Sequence, residues 1–359
     1  MHSEMARSGL QLALLMLIWI VSMPLQASAQ GGAYQEERHE VAHAGSPAAH
    51  APIGVMGDHT HERHEIMLSY RYMRMRMGGM RDGDDRVSAS SVLGDYIVSP
   101  TSMDMDMHMF GAMVAPTDGV TLMLMVPIVE LEMNHRARTG ARFTTYADGV
   151  GDVTAAALID LWEVEGHQIH GQIGISFPTG SISESDRTPL SMGNRVRLPY
   201  PMQLGSGTYD FLPGLTYTGY ENAWSWGAQA KGEIRLNENH AQYRQGNEYL
   251  VTAWGGYTIN EWVSVSARLE WQQQLNYRGR DASIATVAMG TPIVPTADTG
   301  RRAFQRLDVL AGVNFQLPSG PLHGVRFAIE AGLPTYQHLD GPGLETDWIT
   351  TVGVQYAFE

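Results

Sequence analysis

Residues 103–109 read Met-Asp-Met-Asp-Met-His-Met, an alternation without a fault. In an extended strand successive side chains point to opposite faces. Met103, Met105, Met107 and Met109 therefore share one face, and Asp104, Asp106 and His108 share the other. A helix, at about 3.6 residues per turn, would scatter both sets around its circumference. The segment is a strand. The same period of two closes the chain, where Trp348, Thr350, Val352, Val354, Tyr356 and Phe358 oppose Thr351, Gly353, Gln355 and Ala357. Residues 263–272, 306–315 and 325–333 repeat it with β-branched and aromatic residues on one face and polar residues on the other.

Extending that reading gives about twelve strands, near 64–77, 101–115, 120–135, 152–165, 168–178, 208–219, 224–236, 248–259, 262–278, 303–317, 322–337 and 346–358. Their connections alternate. Short ones near 115–120, 166–167, 220–223, 260–261 and 318–321 separate long ones near 78–100, 136–151, 179–207, 237–247, 279–302 and 338–345. Strands that cross an outer membrane up and down have this rhythm, with short periplasmic turns and long external loops.

The strands begin only after two other regions. Residues 1–29 carry Arg7, the apolar core LQLALLMLIWIVSM (10–23) and Ala27-Ser28-Ala29, the pattern of a secretory signal peptide cut after Ala29. Residues 30–63 are rich in His, Ala, Gly and Pro and have no periodicity, which predicts a flexible periplasmic segment. Residues 64–359 are then the barrel. The chain has no cysteine, so an exported fold must be stabilised by a large core or a closed sheet. Its net charge of −14 gives no basic footprint for nucleic-acid phosphates.

A soluble sandwich also alternates, with its apolar face inward. Strand length separates the two, because these runs reach ten residues or so, the span a tilted strand needs in hydrocarbon, whereas soluble strands average about five or six. Aromatic residues at strand ends (Trp224, Trp226, Trp262, Trp348, Tyr356, Phe358) fit interfacial girdles. The expected fold is all-β: a transmembrane antiparallel barrel of about twelve strands in the outer membrane of a Gram-negative cell.

The segments Ala51-Pro-Ile-Gly-Val-Met-Gly57, Gly149-Val-Gly-Asp152, Phe177-Pro-Thr-Gly-Ser181, Leu212-Pro-Gly-Leu-Thr-Tyr217 and Val354-Gln-Tyr-Ala-Phe358 resemble the outer-membrane barrel family named for the meta-pathway of phenol degradation, itself loosely similar to FadL-type transporters of hydrophobic substrates. The resemblance covers most of the chain from residue 51. It implies a porin-like transporter or channel for small solutes, hydrophobic or aromatic ones included, and no catalytic residues or cofactor. The partners implied are outer-membrane lipid, the barrel-assembly machinery and a small-molecule solute. The terminal Glu359 departs from barrels that finish on their aromatic residue.

If the apolar faces meet lipid, the other faces line the lumen: Asp104, Asp106, His108, Glu130, Glu132, Asp160, Gln172, Lys231, Glu233, Arg235, Arg268, Glu270, Arg306, Asp308, Arg326 and Glu330. Such charges are expected mainly to pair across a narrow lumen, since buried charges need partners. On the same logic the methionines of 103–109 are lipid contacts. His59, His61 and His64 form H-x-H-x-x-H and are candidate metal ligands for copper or zinc, although a histidine-rich segment is more often without a specific site. An enzyme reading is weaker. His170 and Ser176 share a strand face, but six residues at strand rise part them by about 20 Å, too far for a nucleophile and its base.

Overall fold

The computed structural model describes residues 47, 48, 50–288, 290–318 and 324–358; the expected signal peptide and residues 30–46 lie outside the described residues. Eleven strand elements close into a ring: β1 (Ile66–Gly83), β2 (Val98–Thr117), β3 (Val120–Ala137), β4 (Val153–Val164), β5 (His167–Phe177), β6 (Asp210–Glu221), β7 (Trp224–Arg235), β8 (Glu248–Asn260), β9 (Val263–Gln274), β10 (Phe304–Gln316) and β11 (Val325–Phe358). Each pairs antiparallel with its sequence neighbour, and β11 returns to pair with β1. Two short strands, Asp85–Val87 and Arg142–Val150, extend the sheet outside the ring.

An antiparallel ring must contain an even number of passages, because each reverses the last. β11 resolves the parity. Its residues 326–339 pair with β10 and residues 339–358 pair with β1, both antiparallel. The element is thus two legs turning near Gly341, at φ 107°, and Gln337 and Thr346 bond across it, Thr346 N–H donating to Gln337 Oε1 at 2.7 Å. The barrel has about twelve passages, as the period-two reading expects. The long loop expected near 338–345 is a tight hairpin, because the strand pattern continues through it.

Burial shows which face is which. Ile66, Leu68, Phe110, Val114, Leu122, Leu124, Val265, Leu269, Phe327 and Ile329 are exposed, although large and apolar, and all lie on the outer parity. Aromatic residues bound that band. Trp262 sits in the turn before β9, and Trp271 ends its outward row. Nine residues apart at about 3.3 Å rise and about 40° tilt, they are separated by about 23 Å along the axis, close to the roughly 25 Å apolar belt of outer-membrane barrels.

On β2 and β3 the faces differ from the sequence expectation. Phe110 and Val114 share parity with Asp104, Asp106 and His108, so these three face outward, and the methionines face in. Met103 packs with Leu131 and Met133, and Met109 with Met67, Met113, Met123 and Met125. The reason is strand length. β2 has 20 residues, about twice what crosses the hydrocarbon, so its first half rises above the apolar belt and its outer side chains meet water instead of lipid.

Residues 50–63, expected to be flexible, lie inside the ring in their described form. Their backbone bonds to inward side chains of β1, β3, β5, β7 and β11: Arg71 Nε donates to Ile53 O (3.0 Å), His61 N–H to Thr121 Oγ1 (2.8 Å), and Gly54 N–H to Glu330 Oε2 (3.1 Å). Gln229 Nε2 donates to Met56 O (3.1 Å), and His170 Nε2 is 3.0 Å from Gly57 O. A segment bonded to strands all round the ring occupies its lumen. It is a plug.

Candidate functional site: a plugged lumen with two unlike walls

One wall is charged. On β6 to β8, Arg235 reaches Asp210 at 2.6 Å and Glu248 at 3.0 Å, and also pairs with Glu233. On β9 and β11, Arg268 grips Glu330 through two 2.8 Å bonds and pairs with Glu270. Arg306 meets Asp308 at 2.8 Å. The signs alternate along each strand, Arg268 with Glu270 and Arg306 with Asp308, whereas across the β9–β10 ladder Glu270 stands opposite Asp308 and Arg268 opposite Leu310. Each arginine thus compensates the carboxylates around it, as buried charge requires.

Three wall cations are different. Arg71, Lys231 and Arg326 make no ion pair with a wall carboxylate among the described residues; they donate instead to the plug carbonyls of Ile53, Met56 and Ala51. Arg326 also holds Gln355 Oε1 (2.6 Å) and Asn314 Oδ1 (2.7 Å). The plug thus supplies acceptors for cations that the strands leave uncompensated, and its Asp58 adds a carboxylate to their field. This coupling was not legible in the sequence, because carbonyl acceptors carry no residue signature.

The opposite wall is apolar and soft. Met67, Met113, Met123, Met125 and Leu158 pack around Met56 of the plug. Outside that wall, Ala112, Ala155, Ala157 and Ile173 help floor an apolar dent of about 690 Å³ facing the membrane.

The long loops cover the other end. Ile182 and Tyr200 from 178–209, Tyr243 from 236–247, and Ile284, Val294 and Ala297 from 275–303 form one buried cluster with Val98. Tyr200 and Tyr243 meet edge to face at 4.9 Å, and Tyr277 adds a ring 5.5 Å from Tyr200. Burial pushes the hydroxyls of all three tyrosines upward in pKa. Arg197 bonds Asp281 at 3.1 Å, and Asp281 N–H donates to Tyr200 Oη at 3.1 Å, so the lid is tied loop to loop. Where residues 178–209 meet the start of β4, burial raises the Asp152 carboxyl, although Gly180 and Ser206 donate to it at 2.8 and 2.7 Å.

Among the residues singled out from sequence, Asp160, Gln172, Lys231, Glu233, Arg235, Arg268, Glu270, Arg306, Asp308, Arg326 and Glu330 project into this lumen, and the five from β2 and β3 do not. Asp104 pairs with Arg74 and Arg76 on the outer surface; Glu130 and Glu132 are exposed there. His108 faces outward, with Tyr70 Oη 2.8 Å from its Nδ1. His59 and His61 stand together in the plug, rings 4.7 Å apart, while His64 lies apart at an exposed turn with φ 74°. His50, unremarked in the H-x-H-x-x-H motif, joins them. His170 is engaged with Gly57 O.

A closed antiparallel barrel with an oily exterior, aromatic girdles and a charged interior is an outer-membrane β-barrel. The chain belongs to the family described as "Putative MetA-pathway of phenol degradation", which matches residues 91–290. Among solved structures, an outer membrane channel from Pseudomonas putida F1 superposes with a TM-score of 0.59 at 12% identity, covering 85% of this chain and 99% of that one. The β domain of the Bordetella autotransporter BrkA gives a TM-score of 0.43 at 12% identity, covering 82% of this chain and 100% of that one. KdgM porin gives 0.37 at 11% identity, covering 82% and 99%. Among curated proteins no sequence matches.

Proposed function

We propose that this protein is an outer-membrane channel-like transporter for small solutes, with hydrophobic and aromatic compounds suited to its methionine wall and tyrosine lid. The observation that carries the reading is how the plug is held. No strand ladder ties residues 50–63 to the barrel; side chains such as Arg71, Lys231 and Gln229 grip its carbonyls one at a time. Contacts of that kind contribute about 1–3 kcal/mol each, the charged donors the most, and can be exchanged for water singly. A plug so held can shift without unfolding the ring. The lumen it leaves is charged on one side and soft and apolar on the other, which suits an amphipathic small molecule.

The test is planar-bilayer conductance of the full chain and of a variant lacking residues 47–63. The full chain should show small or rare openings and the deletion larger and more frequent ones. Equal currents, or a folded deletion variant that never conducts, would remove the transport reading. Liposome swelling with a monocyclic aromatic acid against a sugar of similar mass then reads the preference, and the aromatic solute should enter faster.

A further inference from the structure

The plug carries a cluster of metal-ligating side chains outside the ion pairs of the barrel wall. His50, Asp58 and His59 each bring one ligand atom to within 4.8 Å of the others. Asp58 shapes the cluster: its Oδ2 accepts Ala51 N–H at 3.0 Å, closing the turn that returns residues 58 and 59 to His50, and its Oδ1 stands 3.1 Å from His59 Nδ1. The His50 and His59 rings meet edge to face at 4.8 Å, and the His61 ring lies 4.7 Å from His59.

Two further observations point to a ligand. His59 Nε2 and His61 Nε2 are buried with no hydrogen-bond partner. A buried polar atom left so costs about 1–3 kcal/mol. His61 is only 7% exposed, and its other nitrogen, Nδ1, lies 3.1 Å from Glu65 Oε2. A carboxylate on one imidazole nitrogen that leaves the second as a free lone pair is how metal-binding histidines are oriented.

We propose that His50, Asp58 and His59, with His61 completing the set, bind one borderline divalent transition-metal ion inside the barrel, Cu(II) more tightly than Zn(II). Imidazole with a single carboxylate suits these ions rather than the oxygen-seeking Ca(II) or Mg(II), and the metal series places Cu(II) above Zn(II). The chain has no cysteine to offer a thiolate. Bonds of about 2.0–2.1 Å put tetrahedral ligands roughly 3.3 Å apart, so the widest gap in the cluster must close by up to about 1.5 Å. It lies in a segment without helix or strand, so that movement breaks no ladder. The ion would link residue 50 to residues 58–61, fixing the shape of the plug. The inference goes beyond transport and stands apart from it, because binding is read at equilibrium whether or not the barrel conducts.

The experiment uses the full chain, refolded in detergent, stripped with chelator and titrated calorimetrically with CuCl2 and then ZnCl2. One ion per chain is expected, with a micromolar or lower Kd and Cu(II) the tighter. Continuous-wave EPR of the copper form should show nitrogen superhyperfine splitting. His50→Ala with His59→Ala should weaken copper by more than about a hundredfold, and Glu65→Gln by about tenfold, through the orientation of His61. His64→Ala, and His39→Ala with His43→Ala, should leave the Kd unchanged. Heat-modifiable gel migration monitors folding of each variant, and if the double variant fails to fold, Glu65→Gln decides. Millimolar binding by the wild type, wild-type affinity in a folded double variant, or loss of binding on removing His39 and His43 would overturn the proposal.

Discussion

Replacing Glu330 by glutamine probes the charged wall and the plug together. Glu330 is 1% exposed in its side chain, takes two 2.8 Å bonds from Arg268 and accepts Gly54 N–H at 3.1 Å. Glutamine keeps the shape and loses the charge, which leaves Arg268, 4% exposed, with Glu270 as its remaining carboxylate. Removing one partner of a buried pair costs about 3–5 kcal/mol, because the other charge stays buried. Glu270 offsets part of that, so the expected loss for Glu330→Gln is about 2–3 kcal/mol. Equilibrium urea unfolding in lipid vesicles, followed by tryptophan fluorescence, measures it. The control is Asp298→Asn, whose partner Arg301 is 46% exposed and whose carboxylate is 48% exposed; such a surface pair contributes at most about 1 kcal/mol. Arg268→Met combined with Glu270→Leu and Glu330→Leu, which leaves none of the three charges behind, should recover most of the loss, since well-packed apolar replacements of buried ion pairs and triads are often neutral. If Glu330→Gln costs no more than Asp298→Asn, the charges are solvated and the packed-lumen account is wrong.

Gly54→Ala puts a Cβ against the ends of Glu330 and Arg268, which are themselves locked, and should dislodge the plug; single-channel recordings should show longer open times than wild type. In a chain without cysteine, Asp106→Cys on the outer face above the belt should label on whole cells with an impermeant maleimide, whereas Met105→Cys, one residue away and facing inward, should not. Tyr243→Ala removes a 1% exposed ring from the lid, at a cost of about 3 kcal/mol, and should expose 275–303 to protease while the ring of strands stays folded. The lid should also loosen in alkali. Burial raises the folded pKa of Tyr200, Tyr243 and Tyr277, so their contribution is complete below the free-phenol value of about 10 and falls as pH climbs above it. Ultraviolet titration of phenolate absorbance alongside proteolysis reads that.

Most of the barrel was legible because it is written in a period of two. The strands at 263–272 and 306–315, for instance, have one polar and one apolar face over their whole length, so their inward set follows from parity alone. The error on β2 has a specific cause. Polarity assigns the faces of a strand only where one face meets lipid, and residues 103–109 stand above that level, where a methionine lumen faces inward and acids face water. The signal that orients the strand lies further along, in Phe110 and Val114, which continue the parity of Asp104 into the oily belt. The plug was illegible for another reason. Its backbone groups are satisfied by side chains from β1, β3, β5, β7 and β11 rather than by a ladder, so 50–63 carries no periodicity, and its glycines and prolines read as disorder. The His50 contribution depends on the turn that Asp58 closes, which spacing alone does not show.

The most direct measurement is a cross-link between plug and wall. A Cβ built on Gly353, on the inner face of β11, would lie 2.8 Å from Ile53 Cγ1, close enough for a disulfide between Ile53→Cys and Gly353→Cys in an otherwise cysteine-free chain. Mild oxidation of intact outer membranes should form the bond in most molecules and lower conductance until a reductant restores it. Two thiols that each react with maleimide yet never join would place the segment elsewhere and contradict a plugged lumen.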